Sequence, residues 1–171
     1  MQIFAYIFEA MMITNVRSPQ FGAILFRCAE LIGDQGSAAV REVGIDFNGR
    51  HTSIVLALNR LGPSSSGEIA DHIGLSRQLI ESRLKAMLAT KQLRSFACET
   101  DGRKKLYDFN ENWRETAARI CHHMGDFEAV YTDLWNEIGV DIEQAVLVLE
   151  RILKTKSLSA RLQEFSLVSI P

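Results

Sequence analysis

At 171 residues, 47% hydrophobic and 23% charged, the chain is long enough to bury a core and too apolar to be disordered. Cys28, Cys98 and Cys121 are odd in number and lack Cys-x-x-Cys spacing, which argues against a disulfide scaffold or structural zinc site and suits a reducing, cytoplasmic setting. The formal net charge of -2 hides an asymmetry: ten basic and six acidic residues put Arg50 to Asp108 at +4, and nine basic with fifteen acidic leave the flanks at -6, a pattern suited to meeting a polyanion.

The first sixteen residues, MQIFAYIFEAMMITNV, are apolar. They carry Glu9, lack a basic leader and are too short to span a bilayer, so no membrane partner is expected. Phe21 to Ile32 places Ile24, Leu25, Cys28, Leu31 and Ile32 at helical spacing. Gly33-Asp34-Gln35-Gly36 is expected to interrupt this helix, with Ser37 to Val43 resuming it for a turn or two. Asn48-Gly49 reads as a break, after which Ile54, Leu56, Ala57 and Leu61 mark a second helix that stops at Gly62-Pro63.

Ser64-Ser65-Ser66 can cap the next, short helix, and Ser65 with Glu68 has the spacing of a capping box. That helix carries Ile69, Ala70 and Ile73 and ends at Gly74. Ser76 then caps a longer helix whose buried stripe is Ile80, Leu84, Met87 and Leu88. Short helix, turn and longer helix make a helix-turn-helix. Its outward face holds Arg77, Gln78, Glu81, Ser82 and Lys85, with Glu81 and Lys85 spaced for an i,i+4 pair. Arg77 and Gln78 are side chains that reach base edges in a major groove, and Ser66 and Ser76 at the two helix starts join the candidate DNA contacts.

Leu93 to Cys98 and Lys105 to Phe109 flank Asp101-Gly102, a dipeptide that favours a tight hairpin turn at positive φ. A two-stranded ribbon directly after a helix-turn-helix is the plan of a winged helix. Arg103 at the tip is long enough for a narrow minor groove, and alternation on a strand lets one of Lys104 and Lys105 face phosphate.

Asn110 is positioned to cap a long helix in which Trp113, Ala117, Ile120, Met124, Phe127, Tyr131 and Leu134 form a heptad-like seam. Gly139 ends it, and Asp141 caps a last helix with Ile142, Ala145, Val146, Leu149, Ile152 and Leu153. The seam needs a partner surface, supplied by an intramolecular bundle or by a homodimer. The expected class is mainly α with a small β-wing. Its parts are an N-terminal helical dimerisation region at 1–47, a winged helix-turn-helix domain at 48–109, and C-terminal dimerisation helices at 110–171.

The stretch GEIADHIGLSRQLIESRLKAML resembles the helix-turn-helix of the MarR family of transcriptional regulators, and TDGRKKLYDFNENWRE resembles that family's wing and long helix. The resemblance runs from about Gln20 to about Lys154. It implies an obligate homodimer on a pseudo-palindromic operator in double-stranded DNA, with repression relieved by a small, often aromatic, effector or by oxidation. It also implies that Asp101 holds Arg103 in position for the minor groove. Two departures stand out. The family's glycine between recognition helix and wing is replaced by Thr90-Lys91-Gln92-Leu93, so a non-glycine adopts positive φ there at a cost of roughly 1 kcal/mol, or the helix exits differently. The apolar front exceeds the usual family start, as an extra dimer-clasping arm or a segment ahead of initiation at Met11 or Met12.

Cys28 lies where peroxide-sensing relatives keep a reactive thiol, but its LFRCAELI setting reads better as a small core residue. Cys121-His122-His123 suggests a metal, yet adjacent histidines project about 100° apart on a helix, so no metal or cofactor is expected. There is no Gly-rich phosphate loop, nucleophile elbow or paired-carboxylate setting, and the expectation is a non-enzyme. Two readings remain: a DNA-binding regulator, and a winged-helix module for protein–protein contact with weak or no DNA binding. Glu81 on the groove-facing surface counts toward the second unless it accepts from a cytosine amino group.

Overall fold

In the computed structural model, which describes residues 20–168, the first helix is unbroken. Helix α1, Phe21–Glu42, continues through Gly33 and Gly36, where an interruption is expected from the sequence. The close approach here is made by Gly49 to the backbone of this helix. A Cβ on Gly49 would lie 2.7 Å from the Gly33 carbonyl oxygen and 2.8 Å from the Ser37 nitrogen. Ser37 fastens the contact, its hydroxyl donating to the Gly33 carbonyl and accepting from the Gly49 amide, both at 2.7 Å. A turn of 3-10 helix, Gly49–His51, then leads into α2, Thr52–Leu61. Ile54, Val55, Ala57 and Leu58 are the buried face of α2, whereas Leu56 and Leu61, expected on that face, are exposed.

The short helix α3, Ser66–Ile73, begins at the Ser65–Glu68 capping box and ends at Gly74 in the left-handed conformation, φ 77°. Helix α4, Arg77–Ala89, starts at Ser76, whose hydroxyl accepts from the Leu79 amide. Ile80, Leu84 and Met87 are its buried stripe, and Leu88 packs partly buried against the core. At its exit Lys91 adopts φ 58°, the only non-glycine residue with positive φ among those described. Of the two exits open at this point, the chain takes the one in left-handed conformation.

Strands β1, Leu93–Ala97, and β2, Lys105–Phe109, pair antiparallel with Leu93 opposite Phe109 and Ala97 opposite Lys105. The connection is not the expected tight Asp-Gly turn at positive φ. Residues 98–104 form a longer loop and Gly102 is not among the positive-φ glycines. The turn closes through the Asp101 carbonyl, which accepts from the Lys104 amide at 2.8 Å. Ser64 and Tyr107 exchange two backbone hydrogen bonds, attaching the wing to the start of the helix pair.

The long helix α5, Arg114–Ile138, follows a 3-10 turn at Glu111–Trp113, and the Asn110 side chain makes no capping bond. That turn moves the helix start beyond the reach of Asn110. Contacts divide the described residues into two units, 20–126 and 127–168, with the boundary inside α5. In the first, Ala117 and Ile120 are buried with Val40, Phe47, Ile54, Ile69, Ile80 and Met87 in one core. Cys28 lies outside that core. It is exposed, because α1 enters the core only near Ser37 and Val40. In the second unit, the seam of α5 is half-buried at Tyr131, which stacks on Trp135 at 5.8 Å, and exposed at Leu134. Gly139, φ 77°, closes α5, and Asp141 caps α6, Ile142–Thr155, by accepting from the Gln144 amide. A further helix absent from the sequence reading, α7, Leu158–Val168, follows α6, with the Ser157 hydroxyl accepting from the Ala160 amide. The apolar front lies outside the described residues. The folded first unit is a winged helix-turn-helix.

Candidate nucleic-acid interface

The local chemistry that starts α3 and α4 also builds the surface between them and the wing. Capping fixes the direction of each helix start, and the left-handed Gly74 sets the turn joining them. With the apolar stripe of α4 in the core, Arg77, Gln78, Glu81, Ser82 and Lys85 are all exposed. Ser66 is buried at the start of α3, and Ser76 is exposed at the start of α4.

Glu81 does not turn toward Lys85, the partner expected from spacing. Its Oε1 accepts from the Arg77 Nε at 2.8 Å and from the Ser66 hydroxyl at 3.1 Å. The Arg77 hydrogen bond, then the Ser66 one, hold the Glu81 carboxyl below the usual range. The bond uses the Nε of Arg77 and neither of its two terminal amino groups.

The wing tip supplies the rest. Asp101 Oδ1 accepts from the Arg103 backbone amide at 3.1 Å, so the aspartate shapes the chain beneath Arg103 while the arginine side chain is exposed. Lys104 reaches back to α3, its Nζ donating to Glu68 Oε1 at 2.6 Å. The other Glu68 oxygen serves the capping box, accepting from the Ser65 amide at 2.8 Å and the Ser65 hydroxyl at 2.7 Å. These bonds, led by that from Lys104, pull the Glu68 carboxyl down to about 2. Lys105 lies over the Tyr107 ring, 5.5 Å from its centroid. Between wing and helices opens a cleft of about 480 Å³ whose wall includes Ser66, Arg77, Glu81, Asp101, Arg103, Lys104 and Lys105. Seven of the eleven candidate residues thus share one cleft. Gln78, Ser82 and Lys85 lie farther along the exposed face of α4, and Ser76 acts as its cap.

A second charged group, beneath the wing, has no counterpart in the sequence reading. Asp108 is buried on β2, and its Oδ2 accepts from Arg94 of β1 at 3.0 Å and from Arg114, the first residue of α5, at 2.5 Å. Burial pushes its carboxyl up, but hydrogen bonds from Arg94, the Phe109 amide and Arg114 outweigh it and leave the group below its ordinary value. Separations of 14 and 6 residues leave no local pattern to read.

The thiols and histidines sit elsewhere. Cys98, at the wing's edge, shares a 3.2 Å contact with the Thr100 hydroxyl, which with nearby backbone amides lowers its pKa. Burial raises the Cys121 thiol. His123 faces Asp126 at 3.5 Å, and among the described residues no group of three or more metal-binding side chains is gathered. Among the same residues, no helix is long and apolar enough to cross a membrane.

No family model and no curated protein matches the chain. Solved structures do. The transcriptional repressor CouR bound to a 23-mer DNA duplex is 18% identical, with 82% of this chain and 99% of that one covered and a TM-score of 0.55. Overoxidized AbfR bound to DNA is 19% identical over 86% and 96%, TM-score 0.57. The PcaV transcriptional regulator from Streptomyces coelicolor, in complex with its natural ligand, is 12% identical over 83% and 99%, TM-score 0.57. At these identities the likeness is one of fold, and the fold is the winged helix-turn-helix.

Proposed function

We propose that the chain is a MarR-type transcriptional regulator: a cytoplasmic, non-enzymatic homodimer that binds a pseudo-palindromic operator and responds to a small aromatic effector. The observation that carries this reading is the shared cleft, where Arg77 at the start of α4 and Arg103 and Lys105 of the wing converge on one exposed surface. Helix α4 enters the major groove, with Arg77 and Gln78 at base edges and Ser82 and Lys85 toward the backbone. Ser66 and Ser76 mark helix starts whose amides favour phosphate, and Asp101 shapes the turn that carries Arg103 to the minor groove. Lys104, a phosphate candidate by its place in the sequence, has its ammonium turned to Glu68.

Dimerisation is supported by apolar surface that the described residues leave uncovered. Phe26 and Leu31 of α1 are 66% and 57% exposed, and Leu158 of α7 is 71% exposed. Burying a side chain of this kind contributes about 1.5–3 kcal/mol. For the effector, a groove of about 450 Å³ has apolar walls at Val43, Ile45 and Ala118 with Glu115, Arg119, His122 and His123 at its edge, a size suited to a small aromatic molecule.

Selection of duplexes from a randomised library by the full-length protein tests the reading. A shared, two-fold related motif bound with an affinity that falls steeply with salt supports it. Recovery of no sequence and no salt-sensitive binding refutes it in favour of a protein-contact module, on which Glu68 and Glu81 would then be partner-facing acids.

A further inference from the structure

We propose that Lys104 is a strut rather than a DNA contact: Glu68, the capping-box acid of α3, holds it and thereby sets where the wing tip stands against the recognition helix. This inference rests on the DNA-binding reading above. The pair spans 36 residues of sequence and joins the two elements that flank the cleft. Its acid end is fixed first, because Glu68 Oε2 is committed to the Ser65 amide and hydroxyl and only Oε1 is turned to the wing. Its basic end grips the residue that closes the loop: the Lys104 amide donates to the Asp101 carbonyl, and the Lys104 carbonyl accepts from the Cys98 amide, both at 2.8 Å. Arg103 is the adjacent residue, its own amide held by Asp101. Held at Lys104, the tip carries Arg103 to the same cleft wall as Arg77. The carboxyl of Glu68, drawn down to about 2 chiefly by the bond from Lys104, carries its charge at neutral pH.

The sign of one substitution separates the strut from simple electrostatics. Glu68 is an acid beside a proposed DNA surface, so removing its charge would strengthen DNA binding if charge were all it contributed. As a positioning residue it has the opposite effect. Glu68→Gln keeps the capping box, since glutamine serves at that position, and removes only the charge that holds Lys104.

The experiment measures affinity against salt for full-length wild type, Glu68→Gln, Lys104→Ala and the double variant, on the duplex that wild type selects from a randomised library. Each single substitution is expected to weaken binding roughly three- to fivefold, the loss of one exposed ion pair. The double variant is expected to be no weaker than either single one, with the slope of log K against log salt unchanged. Tighter binding by Glu68→Gln, or a slope reduced by about 0.9 in Lys104→Ala as for a lost phosphate contact, overturns the strut. If wild type selects no duplex, the DNA reading fails and amide hydrogen exchange decides the strut alone. Faster exchange at Cys98, Arg103 and Lys104 in both single variants, with α4 unchanged, upholds it, and rates equal to wild type overturn it.

Discussion

Lys91→Gly is expected to stabilise the protein. Lys91 stands one residue beyond the cap of α4, where its amide donates to the Leu88 carbonyl at 3.0 Å and the following Gln92 amide to the Met87 carbonyl at 2.9 Å. These two bonds close a Schellman motif, whose geometry requires a left-handed residue at this position. With φ 58°, Lys91 supplies it against the steric preference of its own Cβ, at roughly 1–2 kcal/mol. Glycine removes that strain but is freer in the unfolded chain, which returns about 0.4–1 kcal/mol. The difference is a gain centred on about 0.8 kcal/mol and at most about 1.6 kcal/mol, or a rise in melting temperature of roughly 2–3 °C at the centre for a chain of this size. Urea denaturation at one fixed protein concentration measures it, as a higher midpoint with unchanged slope. Lys91→Ala is the control, because it also removes the exposed side chain but keeps the strain. A glycine variant no more stable than the alanine variant refutes the backbone argument.

Asp108→Asn is expected to cost about 1–3 kcal/mol in the same assay at neutral pH, since it strips the charge from a buried acceptor of two guanidinium groups. The folded-state pKa of Asp108 is depressed, so its contribution is present above the unfolded value of about 4 and lost as pH falls through the folded value. Wild type and Asp108→Asn therefore converge in stability in acid, and a gap that stays constant down to that range excludes ionisation as its source. In fluorescence anisotropy on a selected duplex, Arg103→Ala is expected to weaken binding to all sequences, whereas Gln78→Ala relaxes preference at one base with a loss of about 1–3 kcal/mol there. Phe26→Glu places a charge on the exposed apolar face of α1 and is expected to shift sedimentation from dimer toward monomer; a wild type that sediments as a monomer at every concentration removes the dimer from the proposal.

What was legible in the sequence was local. The Ser65–Glu68 box, the Ser76 and Asp141 caps, the stop at Gly139 and the stripe Ile80, Leu84, Met87 depend on residues within about two turns of each other, where spacing alone carries the physics. The misreadings share a cause as well. Gly33 and Gly36 have the composition of a break, but the helix runs through both, and the tight tertiary approach falls on Gly49, which packs without a side chain against the Gly33 carbonyl and Ser37. Gly102 follows an aspartate as in a tight hairpin turn, yet the Asp101 side chain binds the Arg103 amide and the loop takes a longer course. Cys28 follows a helical apolar pattern, but a pattern marks a face and not what covers it, and in the single chain that face is exposed. The Glu68–Lys104 and Asp108–Arg114 pairs depend on the path of the wing, which no spacing rule encodes.

Those pairs change the meaning of the basic middle segment. A bare excess of +4 would suggest a surface that attracts any polyanion, with affinity set by the number of phosphates neutralised. The acids already subtracted in that excess stand beside particular cations: Arg77 is tied to Glu81, Lys104 to Glu68, and Arg94 to Asp108, which Arg114 beyond the segment also joins. Arg103 is the contrast, since its contact with Asp101 is through the backbone and its guanidinium extends from an exposed residue. Each acid lowers the charge available to phosphate and fixes the direction of a neighbouring cation. Weak attraction with fixed direction favours discrimination between sites over affinity for all of them. For the proposed regulator, the acidic residues around the cleft are then part of how a correct operator is distinguished from other DNA.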